Sequence, residues 1–189
     1  MSDATVAQAL RSAARLVIVE APGGCGKTHQ GASYACEIAP ALGDGRLLIL
    51  THTNAACDVF AGRTHGLGRH VEIRTIDGLI IEIAGAYRHS LGLPEDVSAW
   101  ARRTPRGYDL LGERVARLLT RHPAIADCMA RRYPIVVCDE HQDANADQHT
   151  LVMALNRAGA QLRVFADPMQ MIFTGTQAQT AAAEQRWAN

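Results

Sequence analysis

Lysine is almost missing from this chain: of 189 residues, eighteen are arginine and one, Lys27, is lysine. Net charge is missing as well. Nineteen basic residues balance nineteen acidic ones, so no overall charge argument points to nucleic acid or to a membrane. The five cysteines, Cys25, Cys36, Cys57, Cys128 and Cys138, are odd in number, lack CxxC spacing and fall mostly in apolar segments. Reduced thiols of a cytoplasmic protein are the expectation. No hydrophobic run is long enough to span a bilayer, and residues 1–15 lack the apolar core of a signal peptide, so no membrane partner is expected. Neither an internal repeat nor a low-complexity linker is visible. The length suits one domain of ordinary size, or a core domain with a small insertion.

The single lysine stands at the end of Ala21-Pro22-Gly23-Gly24-Cys25-Gly26-Lys27-Thr28, with His29 following. This is a Walker A pattern with Ala in place of the first Gly. Glycines let backbone N–H groups converge on phosphate oxygens, Lys27 reaches the β/γ-phosphates, and the Thr28 hydroxyl ligates Mg²⁺. Arginine would not serve, because the loop wraps a compact charge and has no room for a planar fork. Context supports the pattern: residues 16–20 (LVIVE) form a short apolar, β-branched run, and a helix is expected over 27–41. The helix N-terminus adds its partial positive charge to the loop.

Further strands are expected over residues 46–51, 71–75, 134–139 and 161–166. Helices are expected over 53–66, 76–89, 109–132 with a break near Pro123, and 144–158. Alternation of this kind predicts an α/β fold, a phosphate-loop domain with a parallel sheet covered on both faces and ligands gathered at the carboxyl ends of the strands. Between Arg102 and Arg132 eight arginines face three acids, a basic segment that suits either a phosphate-backbone contact or a solvated helical face.

The end of the fourth expected strand is the second specific signal. Apolar residues 135–138 run into Asp139-Glu140, a Walker B pattern with a second carboxylate. Asp139 can hold Mg²⁺ through its water shell, and Glu140 can orient or deprotonate an attacking water. A small-molecule kinase has less need of that second acid. Asp143 and Asp147 suit an acidic cap on the next helix equally well. His141 and His149 match no helical zinc spacing.

In order along the chain, APGGCGKT is similar to helicase motif I, LILTHTNAACDVF to motif Ia, RTIDGL to the element that follows it (motif Ib), VVCDEHQDAN to motif II and FADPMQMIF to motif III. The chain thus resembles the first RecA-like domain of UvrD/Rep-type superfamily 1 DNA helicases, over nearly its whole length. The resemblance implies a RecA-like ATP-binding domain over 1–189, with residues 84–132 as a short, arginine-rich version of the family's helical insertion. ATP and Mg²⁺ are the implied cofactors. The residues of the loop, from Ala21 to His29, would bind ATP, and Asp139 with Thr28 would hold the metal. Glu140 would position the water, Gln170 would sense the γ-phosphate, and Gln8 would read adenine. Thr51, Thr53, Asn54, Thr75 and Asp77 would lie along single-stranded DNA.

Three departures from the family pattern weaken the expected DNA track. His52 replaces an aromatic Phe, Ala55 replaces a Lys, and Thr174-Gly175-Thr176 stands where an Arg-Trp-Arg run is usual. Family members also carry a second RecA-like domain, with motifs IV to VI, whose arginines complete the ATP site. The expectation is a motor domain that acts with such a domain, in the same chain or from a partner, in repair, recombination or defence against foreign DNA. The alternative is a nucleotide-binding regulatory or assembly module that does not unwind DNA.

Overall fold

The run Leu47-Leu48-Ile49-Leu50 is apolar at every position, and the structure buries all four completely. Side chains alternate across a strand, so a run of this kind feeds two cores at once. Leu47 and Ile49 join Val6, Leu10, Ala32, Tyr34 and Phe60 on one face, and Leu48 and Leu50 join Ile76, Ile80, Leu111, Val115 and Leu151 on the other.

The computed structural model describes residues 3–167. Its strands are β1 (Leu16–Glu20), β2 (Leu47–Thr51), β3 (Val71–Thr75), β4 (Ile135–Cys138) and β5 (Gln161–Ala166). All pair in parallel, in the order β1-β5-β4-β2-β3. Helices α1 (Asp3–Leu10), α2 (Lys27–Ile38) and α3 (Asn54–Arg63) accompany the outward run from β1 to β3. Helices α4 (Ile76–Ala86), α5 (Val97–Arg103), α6 (Gly107–Arg121), α7 (Pro123–Arg132) and α8 (Ala146–Arg157) accompany the return to β4 and β5. Right-handed crossovers put the outward helices on one face and the returning ones on the other, which is why the sheet is covered twice. The architecture is the expected α/β, RecA-like one.

Strand ends match the sequence reading to within a residue. The helices needed more correction. The stretch expected to run to residue 41 leaves the α-helix at Ile38 and closes in a 3-10 turn through Ala39–Ala41, where Pro40 has no N–H to continue the ladder. Helix α5 was not placed by the sequence pattern, which gave only a helical insertion somewhere within 84–132 by resemblance. Asp96 caps it by accepting from the Ala99 N–H at 2.7 Å. The break near Pro123 is where it was placed, with Pro123 opening α7.

β5 carries one polar residue into the core. Arg163 is fully buried, and its guanidinium donates to the carbonyls of Leu10, Ser12, Ala14 and Leu162 and to Gln161 Oε1, at 2.7–3.0 Å. A buried cation is tolerable when its donors are all used, and the carbonyls at the end of α1 offer the negative pole of that helix. The ring of Tyr34 lies 5.7 Å from the guanidinium carbon.

Candidate nucleotide-binding site

Gly24 and Gly26 both have left-handed backbones, φ 78° and 77°, and no atom would lie within 4 Å of a Cβ built on either. Backbone conformation, not crowding, therefore requires glycine at the two positions. The loop between β1 and α2 leaves open space over its backbone. Its exposed residues, Pro22 to Gly26, lead into a buried Lys27. Ala21 is tied back to the sheet through its N–H to the Ala166 carbonyl at 3.1 Å.

Lys27 Nζ donates to the carbonyls of Ala21 at 2.8 Å and Pro22 at 3.3 Å, and lies 3.6 Å from Glu140 Oε1 and 3.8 Å from Asp167 Oδ2. Thr28, next along, donates its hydroxyl to Asp139 Oδ2 at 3.1 Å. The other Asp139 oxygen, Oδ1, is buried without a hydrogen-bond partner. Burial pushes the Asp139 carboxyl above its ordinary range; Glu140 adds to the rise, while the Thr28 hydrogen bond and Lys27 oppose it. A buried carboxylate oxygen without a partner, beside a hydroxyl, suits a hard divalent cation. The residues present fit Mg²⁺ and an anionic phosphate.

Glu140 has a left-handed backbone, φ 50° and ψ 42°, uncommon for a residue with a Cβ and a strain that collects at functional positions. Its second carboxylate oxygen accepts from Gln142 Nε2 at 2.5 Å, and Gln142 Oε1 accepts from the Asp167 N–H at 3.0 Å. Gln142 and Asp167 are thus drawn into the site, although sequence reading gave neither a role. Their signals were present, one two residues beyond Glu140 and the other at the end of β5.

The positions expected along DNA lie at the carboxyl ends of β2 and β3, on the same edge of the sheet. Thr51 is buried and donates to the Thr53 carbonyl, whereas Thr53 and Thr75 cap α3 and α4 by accepting from Ala56 N–H and Gly78 N–H. Asn54 is exposed. Asp77 accepts from Gln148 Nε2 at 2.8 Å, which joins the starts of α4 and α8. His52 is half-buried, and its Nε2 has no hydrogen-bond partner. Burial lowers the His52 pKa against the opposing charges of Asp143, Asp77 and Glu140, so the ring is neutral at pH 7. Gln8 lies exposed on α1 and is not among the residues lining the cleft between α1 and α2, which Arg11–Glu37 and Asp3–Gln30 contacts bridge beside His29. Gln170 lies outside the described residues, as does the 174–176 run.

Sheet order and covering helices define an α/β protein of the RecA-like class. The sequence model of the UvrD/REP helicase N-terminal domain family matches residues 101–185, the part that contains β4, α8 and β5. Together the match and the fold support the UvrD/Rep-like N-terminal helicase domain that the motifs imply. No curated protein matches the chain. No helix among the described residues is long and apolar enough to cross a membrane.

Proposed function

We propose that this chain is the ATP-binding and hydrolysing motor domain of a UvrD-like DNA helicase, coupling hydrolysis to translocation on single-stranded DNA when joined to a second RecA-like domain. The observation that carries the reading is the meeting of Thr28 and Asp139 across the sheet, with one Asp139 oxygen left buried and without a hydrogen-bond partner beside a glycine loop and a buried lysine. When bound, ATP with Mg²⁺ supplies the phosphoanhydride whose hydrolysis drives the motor. Lys27 holds phosphate charge, Thr28 and Asp139 hold the metal, and Glu140 orients water and takes its proton. The backbone N–H groups of 23–28 orient the phosphates, and His29 flanks them. Gln8 and Gln170 are proposed, from the resemblance alone, to read adenine and the γ-phosphate.

DNA would cross the carboxyl edge of the sheet over Thr51, Thr53, Asn54, Thr75 and Asp77. Neutral His52 and small Ala55 supply little stacking or charge there, so binding by this chain is weak and falls steeply with salt. Residues 84–132, which hold α5, α6 and α7, would be a minimal form of the helical insertion within a RecA-like domain spanning 1–189. The role we propose is in repair, recombination or defence against foreign DNA, and the compartment the cytoplasm.

Calorimetric titration with magnesium ATP tests the site. Lys27→Ala removes a charge-assisted contact worth roughly 1.5–3 kcal/mol, about a ten- to hundredfold loss of affinity. Glu140→Gln keeps affinity and loses turnover. Unchanged affinity in the first variant would mean that the loop is structural. Loss of binding in the second would remove Glu140 from the role of base.

A further inference from the structure

Three residues, Glu140, Gln142 and Asp167, close a ring with the loop lysine. Lys27 faces Glu140 at 3.6 Å and Asp167 at 3.8 Å, and Gln142 joins those two from behind, donating to the Glu140 carboxylate and accepting from the Asp167 N–H. An amide side chain can donate from its nitrogen and accept at its oxygen in this way; an ionised glutamate there would lack the donor, and a methionine would lack the donor and keep only a weak acceptor. Gln142 is 7% exposed and Asp167 1%, so neither group can exchange its partner for bulk water without local opening.

The two acids on Lys27 are not equivalent. The Asp167 side chain is sealed, whereas that of Glu140 is 36% exposed and hangs from a left-handed backbone. An anionic phosphate arriving at Lys27 repels both carboxylates, and Glu140 is the one with room to leave. When it turns away, the Gln142 amide either follows or loses its acceptor. If it follows, the Asp167 N–H loses its partner.

We propose that Gln142 is a positioning residue that couples phosphate occupancy at Lys27 to the backbone at the end of β5, through the Glu140 carboxylate on one side and the Asp167 N–H on the other. This rests on the phosphate-loop reading of the preceding section. It makes β5, a strand with no residue in the loop itself, a reporter of whether the loop is filled.

The test is amide hydrogen exchange at Asp167, followed by NMR in the 189-residue chain with and without magnesium and a non-hydrolysable ATP analogue, alongside calorimetry. In the wild type the Asp167 amide is protected in the nucleotide-free chain, and its exchange rate changes severalfold on saturation while the amides of Leu162 to Val164 stay as they were. In Gln142→Met, similar in length but without the two hydrogen bonds, Asp167 exchanges about tenfold faster without nucleotide and no longer responds to it. Its affinity for the analogue stays within about threefold of wild type. Uniformly faster exchange along all of β5 in the variant, with the nucleotide response at Asp167 kept, would mean that Gln142 is only structural and overturn the coupling. So would a wild-type Asp167 amide indifferent to saturating nucleotide, a result that stands even if the variant does not fold. Failure of the wild type to bind the analogue at all would overturn the phosphate-loop reading itself, and calorimetry separates that outcome from the others.

Discussion

Cys25 and Cys138 are the same side chain in opposite circumstances. Cys25 sits exposed on the glycine loop, whereas Cys138 is fully buried on β4, where burial, with the charge of Asp139, pushes its thiol up to about 12. Iodoacetamide at pH 8 is therefore expected to modify Cys25, Cys36 and Cys128 in the native chain and Cys138 only after unfolding, as peptide mass mapping would show. Magnesium ATP should slow the reaction at Cys25 severalfold and leave Cys128 unchanged; equal rates with and without nucleotide would count against the loop as its site. Asp139 offers a second test. Without a cation the burial of its carboxylate outweighs the Thr28 hydrogen bond and the charge of Lys27, so Asp139→Asn should melt at or above the wild type in a chelator, by about 2–4 °C for each kcal/mol of relieved desolvation. The same variant should lose any rise in melting temperature that Mg²⁺ gives the wild type. Lys27, Thr28 and Asp139 were legible in the sequence because glycine spacing and strand-end position are local signals. The ring through Gln142 was not, because its link to Asp167 joins residues 25 apart that only the pairing of β4 with β5 brings together.

At the level of elements, the edge of the sheet away from the site is held by charge. Glu72 on β3, with its side chain 10% exposed, meets Arg46 ahead of β2, Arg74 on its own strand and Arg132 at the end of α7, at 2.7–3.1 Å. Burial alone would raise its pKa, but the hydrogen bond from Arg74 and the charges of Arg132 and Arg74 hold it below the ordinary glutamate range. A depressed carboxylate stabilises the fold above its unfolded pKa, about 4.3, and the contribution is lost as pH falls through the lower folded value. Glu72→Gln should accordingly cost about 1–2 kcal/mol at pH 7, discounted for the half-exposed arginines, and progressively less below pH 4 in urea melts. A cost that does not depend on pH would assign the effect to packing. The strands were readable because each is a short apolar run; α8 was expected too, but Asn145 and Gln148 cap it, not Asp143 or Asp147. Helix α5, at seven residues, is too short to show a helical period, so its Asp96 cap passed unnoticed. The threonines at 53 and 75 show the limit of motif reading: each is proposed to touch DNA, and each also caps a helix, so substituting either changes two things at once.

For the molecule as a whole, the sheet separates its tasks, with the nucleotide and DNA candidates at the carboxyl edge and the Glu72 cluster at the other. The 189-residue chain by itself should bind ATP, hydrolyse it slowly and unwind nothing. An arginine supplied from outside the loop is worth ~10³–10⁵ in rate in related phosphate-loop enzymes, and Arg163, on the strand beside β1, is occupied by the carbonyls around the end of α1. Steady-state ATPase with and without single-stranded DNA measures this; robust DNA-stimulated turnover by the monomer would contradict it. The anchoring of Arg163 also bears on how the protein is made. Among the described residues β1 pairs with β5 alone, and α1 is fastened to the same strand by that guanidinium, so β1 leaves the ribosome before the strand it pairs with. About 140 residues separate them, on the order of ten seconds of synthesis at 5–20 residues per second. Throughout that interval the glycine loop hangs from a strand whose native partner has yet to be made, so the docked form of the loop has to await β5.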